Sequence, residues 1–131
     1  MPPVDLLLRT RAFSLAVLEF CRTLPHTDEA REAAGQLRRA ASGLRSNYRA
    51  ARKGRSRKEF TAKLGIASEE ADESVDWLEY LRDGCIKHDP GLLQEAIEPC
   101  TFHFVRCTFL RTPIAASTSP RRFCTLAMAR S

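Results

Sequence analysis

Apolar residues recur along the first hundred positions with the three-four spacing of amphipathic helices, and the breaks between stripes carry capping signals. Leu6, Phe13, Val17, Phe20 and Leu24 fall on one stripe that Pro25 ends, which predicts a first helix over about residues 5–24. Thr27 reads as an N-cap, and Asp28 and Glu29 follow it in the first turn, where the helix dipole favours acids. A second helix over 28–53 then carries Ala34, Leu37, Ala41, Leu44, Tyr48 and Ala51, the seam of an antiparallel bundle. Small residues dominate that seam. Gly35 and Gly43 each cost roughly 1 kcal/mol against alanine inside a helix, so they predict close backbone approach.

Gly54 fits a C-terminal cap, and Ser56-Arg57-Lys58-Glu59 is a capping box that starts a third helix almost at once, over 57–83. Phe60, Leu64, Ala67, Ala71, Ser74, Leu78 and Leu81 keep the same spacing, Ile66, Val75 and Trp77 widen the face, and Gly84 closes the helix. So short a connection makes the second and third helices antiparallel neighbours. Asp89-Pro90 begins a fourth helix containing Leu92, Leu93, Ala96 and Ile97, which Pro99 interrupts. The pattern predicts an all-α, antiparallel up-down-up-down four-helix bundle with a shortened or kinked fourth helix (90–98). Residues 1–98 form the bundle and 99–131 an atypical tail, with one short helix at 100–111 before Pro113 and disorder after it.

Charge changes this picture by its distribution rather than its total. The chain carries +5 at neutral pH, but residues 1–98 sum to zero. Residues 38–63 hold ten Arg or Lys against Glu59 alone, and residues 64–98 hold ten acids against Arg82 and Lys87. The tail supplies all the net charge through five arginines and has no acid. No apolar run is longer than Leu6–Leu8 or Leu15–Leu18, so no membrane span or signal-peptide core is expected and a cytoplasmic location is the default. The five cysteines contain no C-x-x-C pair, which reads as free thiols.

Candidate chemistry is sparse. The chain has no G-x-S-x-G, P-loop, G-x-G-x-x-G or H-E-x-x-H pattern, which argues for a protein that is not an enzyme and needs no cofactor. Glu69, Glu70, Asp72, Glu73 and Asp76 lack the Glu-x-x-His partners of a bundle metal site and read as an acidic surface. Cys100, His103 and Cys107 have helical spacing but no clear fourth ligand, so no metal is assigned.

The strongest signal is basic. Arg31, Arg38, Arg45 and Arg52 recur every seven residues beside the core seam of the second helix. Arg39, Arg49, Lys53, Arg55, Arg57, Lys58 and Lys63 extend the patch around the turn into the third. A phosphate backbone of RNA or DNA would find many donors there. Core-flanking charges also commonly pair with a neighbouring helix, and the third helix repeats acids at the same interval, in the columns Glu69, Asp76, Asp83 and Asp72, Glu79. Those columns point mainly outward, which directs part of the pairing between subunits.

From Leu6 to about Ile97 the order of these features resembles the small bacterial four-helix-bundle proteins encoded by intervening sequences in 23S ribosomal RNA genes. The resemblance is carried by Q-L-R-R-A-A (Gln36 to Ala41), S-N-Y-R-A-A (Ser46 to Ala51), S-R-K-E-F-x-x-K-L-G-I-A (Ser56 to Ala67), and E-E-A-D-E (Glu69 to Glu73) followed by W-L-E-Y-L. It implies a four-helix bundle, a pentameric homo-oligomer, and, through the related accessory proteins of diversity-generating retroelements, a nucleic-acid or reverse-transcriptase partner. Arg38, Arg39, Asn47 and Glu73 are the polar positions that match. The fourth helix departs from the family at Pro99, for which a frameshifted or diverged C-terminus is the hypothesis. A self-associating scaffold ranks first, with an RNA- or DNA-binding accessory protein as the alternative.

Overall fold

The computed structural model describes residues 5–98. Three long helices, α1 (Leu6–Arg22), α2 (Asp28–Arg52) and α3 (Arg57–Asp83), are followed by α4 over 90–98, where the described residues end. The described residues contain four helices and no strand. The short helix expected at 100–111, the disordered end, the kink at Pro99 and the Cys100, His103, Cys107 group all lie outside them.

Each helix start is built by a side chain that satisfies a backbone N–H the helix itself leaves unpaired. The Asp5 carboxylate accepts from the N–H of Leu7 at 3.0 Å, Thr27 Oγ1 from Ala30 at 3.3 Å, Ser56 Oγ from Glu59 at 3.1 Å and Asp89 Oδ1 from Leu92 at 2.9 Å. In the capping box before α3, the Glu59 carboxylate accepts from the N–H of Arg55 at 2.9 Å, one residue ahead of the usual partner. Gly54 lies at the tight handover from α2 to α3. A Cβ there would meet the Ala51 carbonyl oxygen and the Phe60 nitrogen, each at 3.1 Å.

The core is one cluster contributed by all four helices. α1 gives Phe13, Val17, Phe20 and Cys21, and α2 gives Ala30, Ala33, Ala34, Leu37, Ala41 and Leu44. α3 adds Ala67, Ala71, Leu78 and Leu81, and α4 adds Leu92, Leu93 and Ala96. Leu6, expected on the α1 stripe, is only half-buried, and Thr10 takes the buried position one turn further on, its hydroxyl donating to the Leu7 carbonyl. Gly35 does not mark a close approach, because a Cβ there would meet nothing within 4 Å.

Two cationic contacts tie the ends of α1 to the C-terminal part. Arg9 Nε donates to Glu95 at 2.6 Å and its Nη2 to Glu98, which binds α4 to the start of α1. Lys87 Nζ donates to Thr23 Oγ1 at 2.6 Å and lies 5.9 Å from the centre of the Phe20 ring. Arg9 holds the Glu98 carboxyl below its ordinary range, so its contribution to stability is present at neutral pH and is lost as acid protonates it.

The end of α3 corrects the expectation for Gly84. Gly84 is the C-cap at φ −75°, and the left-handed residue is Cys85, at φ 54°. Its N–H donates to the Arg82 carbonyl and that of Ile86 to the Leu81 carbonyl, both at 3.0 Å, a Schellman motif with cysteine where glycine is usual. A left-handed non-glycine residue carries a steric cost of roughly 1 kcal/mol. Cys85→Gly is therefore expected to raise the unfolding free energy by about 0.5–1 kcal/mol, read as a higher melting temperature. An unchanged or lower value would show that the left-handed position is not strained.

Candidate functional site

The predicted basic residues form one stripe and one end cluster. Arg38 lies close enough for its charge to act on Cys21 of α1, and Arg52 Nη1 donates to Asp5 at the start of α1 at 3.4 Å. The heptad column Arg38, Arg45, Arg52 therefore runs along the flank of α2 that borders α1. Arg31 continues it at the other end and pairs with Asp28 at 2.9 Å. The column spans about 31 Å at 1.5 Å per residue. Arg49 shares this flank, whereas Arg39 stands a quarter-turn and more away from Arg38 and is not part of the stripe. Lys53, Arg55, Arg57 and Lys58 gather at the α2–α3 turn and are exposed.

Among the described residues, Arg38, Arg39, Arg45, Arg49, Lys53, Arg55, Arg57 and Lys58 make no ion pair. The intramolecular alternative, pairing of α2 arginines with α3 acids, is not realised. The physical reason is orientation: Glu69, Asp72, Asp76 and Asp83 are exposed on the side of α3 turned away from the seam that Ala67, Ala71, Ser74 and Leu78 form with α2. Glu73 is exposed too and accepts from Trp77 Nε1 at 3.3 Å, and Trp77 meets Tyr80 edge to face at 5.5 Å. At the end opposite the basic turn, an open cleft of about 730 Å³ is lined by Glu29, Asp76, Glu79, Asp83 and Tyr80 together with the α1–α2 turn.

One acid of α3 faces inward. A Cβ on Gly43 would meet the Glu70 carboxylate, with Cδ at 2.4 Å, so this glycine makes room for a carboxylate rather than for a backbone. The Gly43 carbonyl accepts from Asn47 Nδ2 at 2.9 Å, which assigns Asn47 a structural role within α2. The Glu70 carboxylate has no hydrogen-bonding or cationic partner among the described residues. Burial, then the neighbouring Glu73 and Glu69, push its carboxyl above the ordinary value. Sequence reasoning places Glu70 in the acidic run but does not single it out. The available signal is the pairing of a mid-helix glycine with an acid on the neighbouring helix. Sequence reasoning also passes over Leu8 and Leu15, which are exposed and lie seven residues apart on α1, off its core stripe.

Nothing in this arrangement has the parts of a catalytic centre. Among the described residues no group of three or more His, Cys, Asp or Glu is placed to hold a metal ion, and no helix is long and apolar enough to cross a membrane. Fold and surface together define a small antiparallel helical-bundle protein whose chemistry is confined to charged faces. The chain belongs to the 23S rRNA-intervening sequence protein family, whose model matches residues 4–89. The match spans α1 to α3 and stops at the capping residue of α4. No curated protein and no solved structure matches the chain.

The raised Glu70 carboxyl fixes the sign of one pH effect. The folded state holds this proton more tightly than the unfolded chain, so the group's contribution is full below its unfolded value and is lost as pH rises through its folded value. Glu70→Gln should therefore melt at a higher temperature than the parent at pH 7, with the gap narrowing at pH 4. Equal melting of the two proteins at both pH values would show that the buried carboxylate costs nothing.

Proposed function

We propose that this protein is a non-enzymatic scaffold that assembles with copies of itself through the opposed charges of its α2 and α3 faces. The observation that carries this reading is that both faces are exposed and unsatisfied within one chain. Arg38, Arg45 and Arg49 on one side, and Glu69, Asp72 and Asp76 on the other, have no ion-pair partners among the described residues. Single exposed ion pairs contribute little, up to about 1 kcal/mol. Columns repeating every seven residues on two helices engage several pairs at once and exclude wrong registers by like-charge contact.

The expected solution mass at low salt, measured by light scattering, is several times 14.7 kDa. Raising salt from about 0.1 M to 1 M shortens the screening length from about 10 Å to 3 Å and should shift the population toward smaller species. A monomer at low salt and working concentration would sink this reading.

The second reading is an RNA- or DNA-binding accessory protein, and the end cluster favours it. Lys53, Arg55, Arg57 and Lys58 meet at one exposed turn, beside the end of the arginine column, where a phosphate backbone has access to both. The family's name refers to ribosomal RNA genes and does not itself state what its members bind. Binding that engages six or more phosphates would weaken by about 10³-fold or more between 50 and 200 mM salt. Replacing Arg38, Arg45, Arg52, Arg55 and Arg57 with glutamine should abolish it. Affinity that survives this change would exclude the α2 face and its turn as the binding surface.

A further inference from the structure

Exposed apolar side chains stand within the charged faces, and charge pairing alone leaves them unexplained. On α1, Leu8 is 62% and Leu15 48% exposed; on α3, Ile66 is 38% and Tyr80 49% exposed. Scattered single residues of this kind are ordinary, but these fall into two ordered stripes. Leu8 and Leu15 are one heptad apart, and Ile66, Glu73 and Tyr80 follow one another at the same interval.

The two stripes lie on different sides of the bundle. Arg9 marks the flank of α1 that meets α4, and Cys21, whose thiol lies 3.8 Å from the Ala34 carbonyl, marks the flank that meets α2. Leu8, Arg11 and Leu15 lie on the outer side of α1 toward that second flank, next to the Arg38, Arg45, Arg52 column. The leucine stripe is thus edged by arginines. Its one acid, Glu19, is already paired with Arg22. The α3 stripe is edged by Glu69, Glu73 and Asp76, and the one basic residue in the C-terminal half of α3, Arg82, is held by Glu79 and Asp83.

We infer that the α1–α2 face of one copy docks on the outer face of α3 of a second copy, burying Leu8 and Leu15 against Ile66 and Tyr80 inside a rim of opposite charges. This rests on the self-association reading and specifies its surface. The dimensions agree: Leu8 to Leu15 spans about 10 Å and Ile66 to Tyr80 about 21 Å, so both leucines fit between the ends of the α3 stripe. Arg11 lies between the two leucines and Glu73 between Ile66 and Tyr80, which places opposite charges at the centre of the contact. Because the two surfaces differ, the contact is heterologous. Each docked copy retains one free surface of the other kind, and repetition closes a ring or extends a filament.

A mixing experiment with the full chain tests this. Leu15→Asp disables the α1–α2 face and keeps the α3 face, and Ile66→Asp does the reverse. With helix content checked by circular dichroism, each variant alone should be monomeric at 14.7 kDa, and the equimolar mixture should give a capped dimer of about twice that mass. If either variant loses its helical signal, the serine replacements at the same positions take its place. A wild-type oligomer whose mass is unchanged by both substitutions would overturn this interface and leave self-association standing. Monomeric variants that do not combine would overturn the heterologous pairing. A wild-type monomer would overturn both.

Discussion

The seam between α2 and α3 is built from small side chains. α2 buries Ala30, Ala33, Ala34, Ala40, Ala41 and Ala51 and only two leucines, and α3 answers with Ala67, Ala71 and Ser74. Alanine contacts let helix axes approach toward the short end of the usual separation, roughly 8–10 Å. At that distance no long side chain fits between the backbones, so arginines of α2 and acids of α3 are turned to the outside. Larger residues in the seam would overpack it at a cost of roughly 1–3 kcal/mol each. Bulk comes instead from Phe13 and Phe20 of α1 and from Leu78, Leu81, Leu92 and Leu93. The same constraint thus shapes the core and leaves the surface charges without internal partners.

Glu70 is the exception that shows how tight the rule is. It points inward only because the opposing residue is Gly43, and even there its carboxylate finds no donor and keeps its proton more readily than an exposed acid. A glycine in mid-helix sacrifices helix propensity. Here that loss accommodates a group that itself destabilises the ionised fold, a local conflict with no structural benefit visible within one chain.

Features governed by neighbouring residues were legible from the sequence. Thr27, Ser56 and Asp89 cap helices because capping depends on positions three apart, and the seam residues follow from periodicity alone. Features that depend on distant residues were not. Arg9 meets Glu95 and Glu98 across most of the chain, and no local pattern signals that pairing. Gly84 misled for a different reason: glycine is the usual left-handed residue, but the hydrogen bonds to Arg82 and Leu81 place the cap one position later, at Cys85. For the candidate site, composition identified the basic residues. Only the structure separates Arg39 from the Arg38 column and shows that the acids of α3 face away. Family membership supports the fold and says little of function, which resides in surfaces carried by the fold.

The separation of charge has a consequence for motion before any contact is made. A body that is neutral through residue 98 yet carries its cations on α2 and its anions on α3 has a large permanent dipole moment. Such a molecule experiences a torque in the field of a charged object and turns one particular side toward it while still diffusing. Orientation in the encounter, and with it the association rate, then depends on ionic strength even though the bundle itself has no net charge to attract a partner.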